Sequence, residues 1–318
     1  MTQPPLHDRT TRDRAAERAA LIAALHARPP SIAPKYLYDP LGCALFAAIC
    51  ELDEYYPTRT ERRIFEQHRG AIAATIGPRA TIIDLGAGDG AKAEAWFGAL
   101  QPEGYVAVDF AASAVRATLA RVQAAHPALE LQGVVTDFSR ELDLPEEVLR
   151  RRALFFYPGS SIGNFAPEQA ERFLRQVHAC CVRAPGSALL IGVDTRKDEA
   201  TLTAAYDDAI GVTAAFNRNV LRNVNRLIGS DFAPATYAHR ALYDSVAGRV
   251  EMHLEATQAA LVRVGERTRL FEPGERILTE HSYKYAPEDF AGCLERAGFA
   301  TVEWWSDEQR AFAVFCAR

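Results

Sequence analysis

From residue 81 onward the chain alternates between short apolar, β-rich runs and longer stretches with helical spacing of apolar positions. TIIDLGAG, YVAVDF, LELQGVVTDF, ALFFYPG and ALLIGVDT are nearly continuously apolar, as expected of strands covered by helices on both faces. Their recurrence predicts a doubly wound α/β sheet. Near the end, YAPEDFAGCLERAGF reads as a helix, and ATVEWWS and AFAVFCA follow it across the polar turn DEQR. Two strands joined so briefly form a hairpin, which makes the last strand antiparallel to its neighbour.

Before residue 81 the pattern is helical. Residues 12–27 are amphipathic and stop at RPP. Asp39 stands where it can cap a helix whose first residue is Pro40. Thr58 and Glu61 have the spacing of a capping box, which starts a helix running toward residue 76. The strand series, its last helix and the closing hairpin match the seven-stranded sheet of Rossmann-like methyltransferases. Nothing in such a sheet requires the stretch from Arg196 to Tyr283, so an inserted substrate-binding cap is expected there. The expected division is 59–195 with 284–318 for the cofactor-binding domain, and 7–58 with 196–283 for the cap.

Composition narrows the partners. The 318 residues are 48% apolar and 24% charged, with a net charge of -5 and no basic run, which argues against a nucleic-acid groove or an anionic membrane surface. No apolar stretch reaches the ~20 residues that span a bilayer, and the N-terminus lacks the core of a secretory signal. The six cysteines have no paired metal-ligand spacing, so no metal is expected, and a cytoplasmic monomer is the default.

The chemistry starts at DLGAGDGAK, residues 84–92, between a strand and a helix. Gly86, Gly88 and Gly90 allow a tight turn and close approach of a ligand, and the GxGxG spacing leans toward S-adenosylmethionine rather than a dinucleotide. Asp109 ends the second strand, where a carboxylate can accept ribose hydroxyls. Asp137 ends the third, placed for an adenine amino group, with Phe138 beside the ring. Lys92, early in the following helix, can reach the cofactor's own carboxylate or simply face water. Asn164 ends the loop PGSSIGNF after the fourth strand; its amide can orient an amine and a carboxylate, or serve as a turn residue with unusual backbone angles. Read from the residues alone, Arg218 in AFNRN is the choice for a substrate carboxylate.

In ILTEHSYKY, residues 277–285, Glu280 and Ser282 lie two apart and share one face of a strand. A carboxylate only accepts hydrogen bonds and a hydroxyl can donate, so the pair suits a ring with one N–H and one bare nitrogen. A polar, solvent-facing strand edge would look the same.

PKYLYDPLG, LFAAICELDEYYPTRTE, PGSSIGNF, AAYDDAIGVTAAFNRNVL and ILTEHSYKY occur in that order. Over nearly its whole length the chain resembles the histidine-specific S-adenosylmethionine methyltransferases of the ergothioneine pathway. The resemblance implies that Gly86, Gly88, Lys92, Asp109, Asp137 and Phe138 hold the cofactor. It implies that Tyr55, Asn164, Tyr206, Met252, Glu280 and Ser282 hold L-histidine, and that Tyr38 stands beside the amine being methylated. It gives Arg218 no role. A third glycine in the loop, and His281 and Tyr283 between the pocket residues, depart from the family's pattern; on a strand the latter two face away from Glu280 and Ser282. The rivals are a methyltransferase for tryptophan or tyrosine, an NAD-dependent oxidoreductase, and a binding protein that has kept the fold.

Overall fold

The computed structural model describes residues 3–9 and 14–318. Two compact units result: residues 3–9, Thr60–Thr195 and Tyr285–Arg318 form the first, and residues 14–59 with Arg196–Lys284 the second. In chain order the strands are β1 (Leu6–Asp8), β2 (Thr81–Leu85), β3 (Gly104–Asp109), β4 (Glu130–Val135), β5 (Ala153–Tyr157) and β6 (Ala188–Asp194). The second unit then supplies β7 (Tyr237–Asp244), β8 (Arg249–Ala256), β9 (Ala260–Val264), β10 (Arg267–Phe271) and β11 (Arg276–Tyr283). The chain closes with β12 (Val302–Ser306) and β13 (Phe312–Ala317).

The first unit is an eight-stranded sheet in the order β1-β4-β3-β2-β5-β6-β13-β12. Strands β2 to β6 are parallel, whereas β13 runs antiparallel between β6 and β12, as the closing hairpin requires. Every residue of β2, β5, β6 and β13 is buried, which explains why these segments lack polar alternation.

Seven strands were expected; the eighth is β1, paired in parallel with β4. Three residues, LHD, are too few to display a period. A Cβ on Gly133 would lie 2.7 Å from Leu6 Cδ1, so the glycine in β4 is what admits the Leu6 side chain. The added strand covers a sheet edge that would otherwise offer unpaired backbone groups. It also moves residues 7 and 8 from the expected cap into the sheet unit. The start of the expected helix at residues 12 and 13 lies outside the described residues; the helix itself is Arg14–His26.

The second unit is built on the antiparallel sheet β11-β8-β7, with the β9–β10 hairpin beside it. Burial along β8 alternates strictly, and Val250, Met252, Leu254 and Ala256 face a core shared with Phe216, Val220 and Val224 of the helix Val212–Ile228. Asp39 caps the helix Pro40–Ile49 as expected, its carboxylate accepting from the Gly42 amide at 2.8 Å. At Gly42 a Cβ would stand 1.8 Å from the Leu37 carbonyl oxygen, so only glycine lets the capped turn close on the preceding one.

The capping box at Thr58 and Glu61 does not form. The helix begins earlier, at Tyr56, and runs to Ile76. Glu61, 1% exposed, instead accepts the Gly159 amide on Oε1 and Lys92 Nζ on Oε2, each at 2.7 Å. A Cβ on Gly192 would fall 2.1 Å from Glu61 Oε1, so β6 needs glycine where the carboxylate passes. Glu61 therefore ties the helix to the glycine-loop segment and to the loop after β5. Substituting Glu61→Gln keeps the shape and removes the charge on both bonds; unfolding in urea should show a loss of about 1–3 kcal/mol.

Candidate functional site

In the sheet unit, the glycine loop hangs from β2. The amides of Gly86 and Ala87 donate to the Val108 carbonyl at 2.9 and 3.2 Å. Gly86, Gly88 and Gly90 have φ of 72°, 54° and 74°, the left-handed region that favours glycine, so the loop's path explains all three. The helix it opens is a single turn, Ala91–Glu94, and is resumed by Phe97–Leu100. The break leaves Trp96 buried, edge-on to Phe65 at 5.1 Å.

The two acids expected around this loop, Asp109 and Asp137, have distinct surroundings. Asp109 ends β3 half-buried, with Oδ1 accepting from the Ala111 amide at 3.0 Å; burial raises its carboxyl above the usual range and backbone amides draw it back. Asp137 lies just past β4, where it accepts from the Ser139 hydroxyl. Phe138 stands edge-on to Tyr157 at 5.9 Å, and its Cζ would be 3.8 Å from a Cβ placed on Gly86, so the ring borders the loop. Asp84, quoted in the loop motif but given no role from sequence, is 2% exposed and accepts from Tyr105 Oη at 2.8 Å. Burial pushes its carboxyl up to about 7. Its position at the end of the first buried strand was the available signal. Asn164 ends the 3-10 turn Ser161–Asn164 and is not left-handed; that geometry belongs to Gly159 and Ser160.

In the second unit, Tyr38, Tyr55, Tyr206, Met252, Glu280 and Ser282 all join or adjoin one core. The strand β11 achieves this through a bulge. Ile277 pairs with Leu254 and Glu280 with Met252, leaving Thr279 as the extra residue. One extra residue reverses the inward–outward parity, so Ile277, Glu280 and Ser282 all face the buried side. The Thr279 hydroxyl pins the bulge by donating to the Met252 carbonyl at 3.0 Å. His281 and Tyr283 take the other side with Glu251 and Arg249: His281 Nε2 is 3.5 Å from Glu251 and Tyr283 Oη is 2.5 Å from Arg249.

Glu280 is 8% exposed, and among the described residues its Oε2 has no hydrogen-bond partner. Burial pushes its carboxyl up to about 7, while the Lys284 ammonium pulls the other way. A buried carboxylate oxygen with no partner is costly unless something donates to it, so the arrangement fits an N–H donor. Around it stand aromatic walls. Tyr38 is edge-on to Phe46 and to Phe216, each at 5.6 Å; Tyr55 is 6.1 Å from Phe46 and 6.3 Å from Tyr206. Burial, then the Glu280 charge, raises the Tyr38 hydroxyl well above its ordinary range, so it stays protonated at any physiological pH. Tyr206 is fixed from behind: His239 Nε2 lies 2.7 Å from its carbonyl and Asn217 Nδ2 2.9 Å from His239 Nδ1. The carbonyl can only accept, which puts the proton on Nε2 and lets Nδ1 accept from the amide.

Sequence reasoning passed over Phe46, Phe216 and Lys284. Phe46 lies on an apolar helix and Phe216 on an amphipathic one, and neither carries a chemical signal. Lys284 did have one: positions 280, 282 and 284 continue the same alternation. Its Nζ lies 2.8 Å from both Ser282 Oγ and Tyr206 Oη. Arg218, by contrast, turns its Nε to the Ala214 carbonyl of its own helix at 3.2 Å.

No helix among the described residues is long and apolar enough to cross a membrane. Residues 17–318 match the family described as histidine-specific methyltransferase, SAM-dependent. The chain is similar to the histidine N-alpha-methyltransferase of Mycolicibacterium smegmatis, with 38% identity over 313 residues and 96% of each chain covered. It is also similar to ergothioneine biosynthesis protein 1 of Neurospora crassa, 33% identical over 287 residues that make up 87% of this chain and 32% of that one. A crystal structure described as a possible exported protein from Bordetella parapertussis shares the fold alone, with a TM-score of 0.50, 14% identity and coverage of 96% and 97%. Agreement over nearly the full length, at an identity that chance does not produce, shows that the chain belongs to the histidine-specific, S-adenosylmethionine-dependent methyltransferases.

Proposed function

We propose that the chain transfers methyl groups from S-adenosylmethionine to the α-amine of L-histidine, three times, giving Nα,Nα,Nα-trimethylhistidine (hercynine) for ergothioneine biosynthesis. The observation that carries the reading is the buried Oε2 of Glu280, without a partner among the described residues, two residues from Ser282 and opposite Met252. A neutral imidazole offers one N–H and one bare nitrogen, which answers this pair; an indole or phenol ring does not. We place the enzyme in the cytoplasm, acting as a monomer.

S-adenosylmethionine supplies an electrophilic methyl group on its sulfonium. The left-handed glycine loop suits such a ligand, because side chains at Gly86 and Gly88 would be strained where the backbone must come close. In this reading Gly86 and Gly88 give that approach, Asp109 takes ribose hydroxyls, and Asp137 and Phe138 hold the adenine. Lys92 spends one donor on Glu61; an ammonium has three, so it can also serve the cofactor's carboxylate.

For the amino acid, Glu280 and Ser282 fix the ring, Met252 packs on it, and Asn164, Tyr55 and Tyr206 hold the amine and carboxylate end. Holding reactants in attack geometry can lower a barrier by ~7–11 kcal/mol. Tyr38, which stays protonated, orients the amine by hydrogen bonding and is not the base. The amine therefore reaches the site already deprotonated. As methyl groups accumulate, the faces of Tyr38, Phe46 and Phe216 favour the growing cation.

The first test is the mass of the product: pure protein, L-histidine and S-adenosylmethionine should yield histidine plus three methyl groups, and incubation yielding no methylated histidine would remove the reading. Glu280→Ala should weaken histidine binding by about 1–3 kcal/mol in calorimetry. The pH dependence has a definite sign. Burial raises the Glu280 carboxyl from 4.5 to about 7, so below that value it holds a proton where it must accept one. Histidine affinity should thus rise with pH through about 7, and the catalytic rate should continue to rise as the amine deprotonates. In Glu280→Gln the affinity limb near 7 should flatten.

A further inference from the structure

In the sheet unit, the Glu61 carboxylate stands between the glycine-loop segment and the loop after β5. Its Oε1 accepts from the Gly159 amide and its Oε2 from Lys92 Nζ, each at 2.7 Å. The carboxylate is buried, whereas the Lys92 side chain is 43% exposed. Gly159 is left-handed, with φ of 79°, and a Cβ built on it would lie 3.2 Å from Lys92 Nζ. The ammonium is therefore seated over the Gly159 backbone rather than extended into water. The next residue, Ser160, accepts the Asp194 amide on its hydroxyl at 2.8 Å, which fixes the same loop to the end of β6.

The helix that carries Lys92 is a single turn, Ala91–Glu94. A lysine has a flexible four-carbon stem, and freezing it in one rotamer costs up to about 30-fold in an equilibrium constant. A buried acceptor already in place removes that cost before any ligand arrives. Glu61 also brings a negative charge, which opposes a second carboxylate nearby. That charge is shared between an ammonium and a backbone amide, so little of it acts on an anion beyond the ammonium. An ammonium has three N–H donors, and with one on Glu61 two remain.

We propose that Glu61 is a positioning residue for the cofactor: it holds the Lys92 ammonium in the place from which it binds the carboxylate of S-adenosylmethionine. This rests on the assignment of Lys92 to that carboxylate. A glutamate suits the task because the two donors arrive on different oxygens. In Glu61→Gln the amide keeps one acceptor oxygen and turns an N–H toward the other donor. The Gly159 N–H is fixed in direction by the backbone, while the lysine can swing to water. The amide oxygen thus stays with Gly159, and the ammonium leaves its seat.

The experiment titrates the full chain calorimetrically with S-adenosylhomocysteine and with S-adenosyl-3-thiopropylamine, which lacks only the carboxylate. The wild-type protein should bind the first at least about 10-fold more tightly. Lys92→Met should bring that ratio to within a few-fold. Glu61→Gln, with folding verified by its melting temperature, should lower the ratio to a similar level while affinity for the decarboxylated ligand changes little. The double variant should be no worse than Lys92→Met alone, because the two residues act through one contact. If the Gln variant does not fold, Glu61→Asp replaces it. Its carboxylate, drawn back by about 1.5 Å, keeps the charge but cannot meet both donors, and the ratio should again fall. A ratio unchanged in the Glu61 variant, or a loss shared equally by both ligands, overturns the proposal and leaves the assignment of Lys92 standing. Tighter binding of S-adenosylhomocysteine by the Gln variant does the same. A wild-type protein without the preference, or a Lys92→Met variant that retains it, removes the assignment and the proposal together.

Discussion

A carboxylate held in an apolar core, with one oxygen that no described residue partners, is the constraint on which the second unit turns. Burying such a group costs free energy, and the cost appears in Glu280 as a carboxyl pushed up to about 7. A protein that needed the residue only for stability would pair that oxygen. Here the Lys284 ammonium lowers the carboxyl's affinity for its proton, and it donates hydrogen bonds to Ser282 and Tyr206. The unit stays folded because much else is satisfied: an alternating β8, a helix laid across it, and aromatic rings in edge-on contact. Stability is supplied around the site, so the site itself can remain unsatisfied.

The bulge in β11 shows how little is needed to create such a position. A regular strand cannot put both Ile277 and Glu280 on one side, because they are three residues apart. With Thr279 inserted, the first half of the strand contributes apolar packing and the second half contributes polar chemistry on the same face. The sheet unit uses glycine for a similar purpose. At Gly133 and Gly192 the missing Cβ makes room for Leu6 and Glu61, while at the loop the backbone itself must take a left-handed path.

Much of this was legible in the sequence. Continuous apolar runs determined the buried parallel strands, because a strand covered on both faces has no polar positions to show. The short polar turn before AFAVFCA determined the antiparallel end of the sheet. Glycines in DLGAGDG announced a left-handed turn, since other residues are strained there, and the spacing of Glu280 and Ser282 placed them on one face. Asp39 before Pro40 gave the helix cap directly, because that cap is made between neighbours.

What only the tertiary structure decided are contacts between residues distant in sequence, where spacing carries no information. Glu61 has the local spacing of a cap, yet its buried carboxylate binds an amide and an ammonium far along the chain, and these outbid the cap. Leu6–Asp8 becomes a strand because an open sheet edge receives it, not because three residues favour the conformation. Alternation alone could have flagged Lys284, but only the fold brings the end of the helix Glu199–Tyr206 to it and closes the triangle with Ser282. Local periodicity determined which way side chains face; long-range packing decided what they meet there.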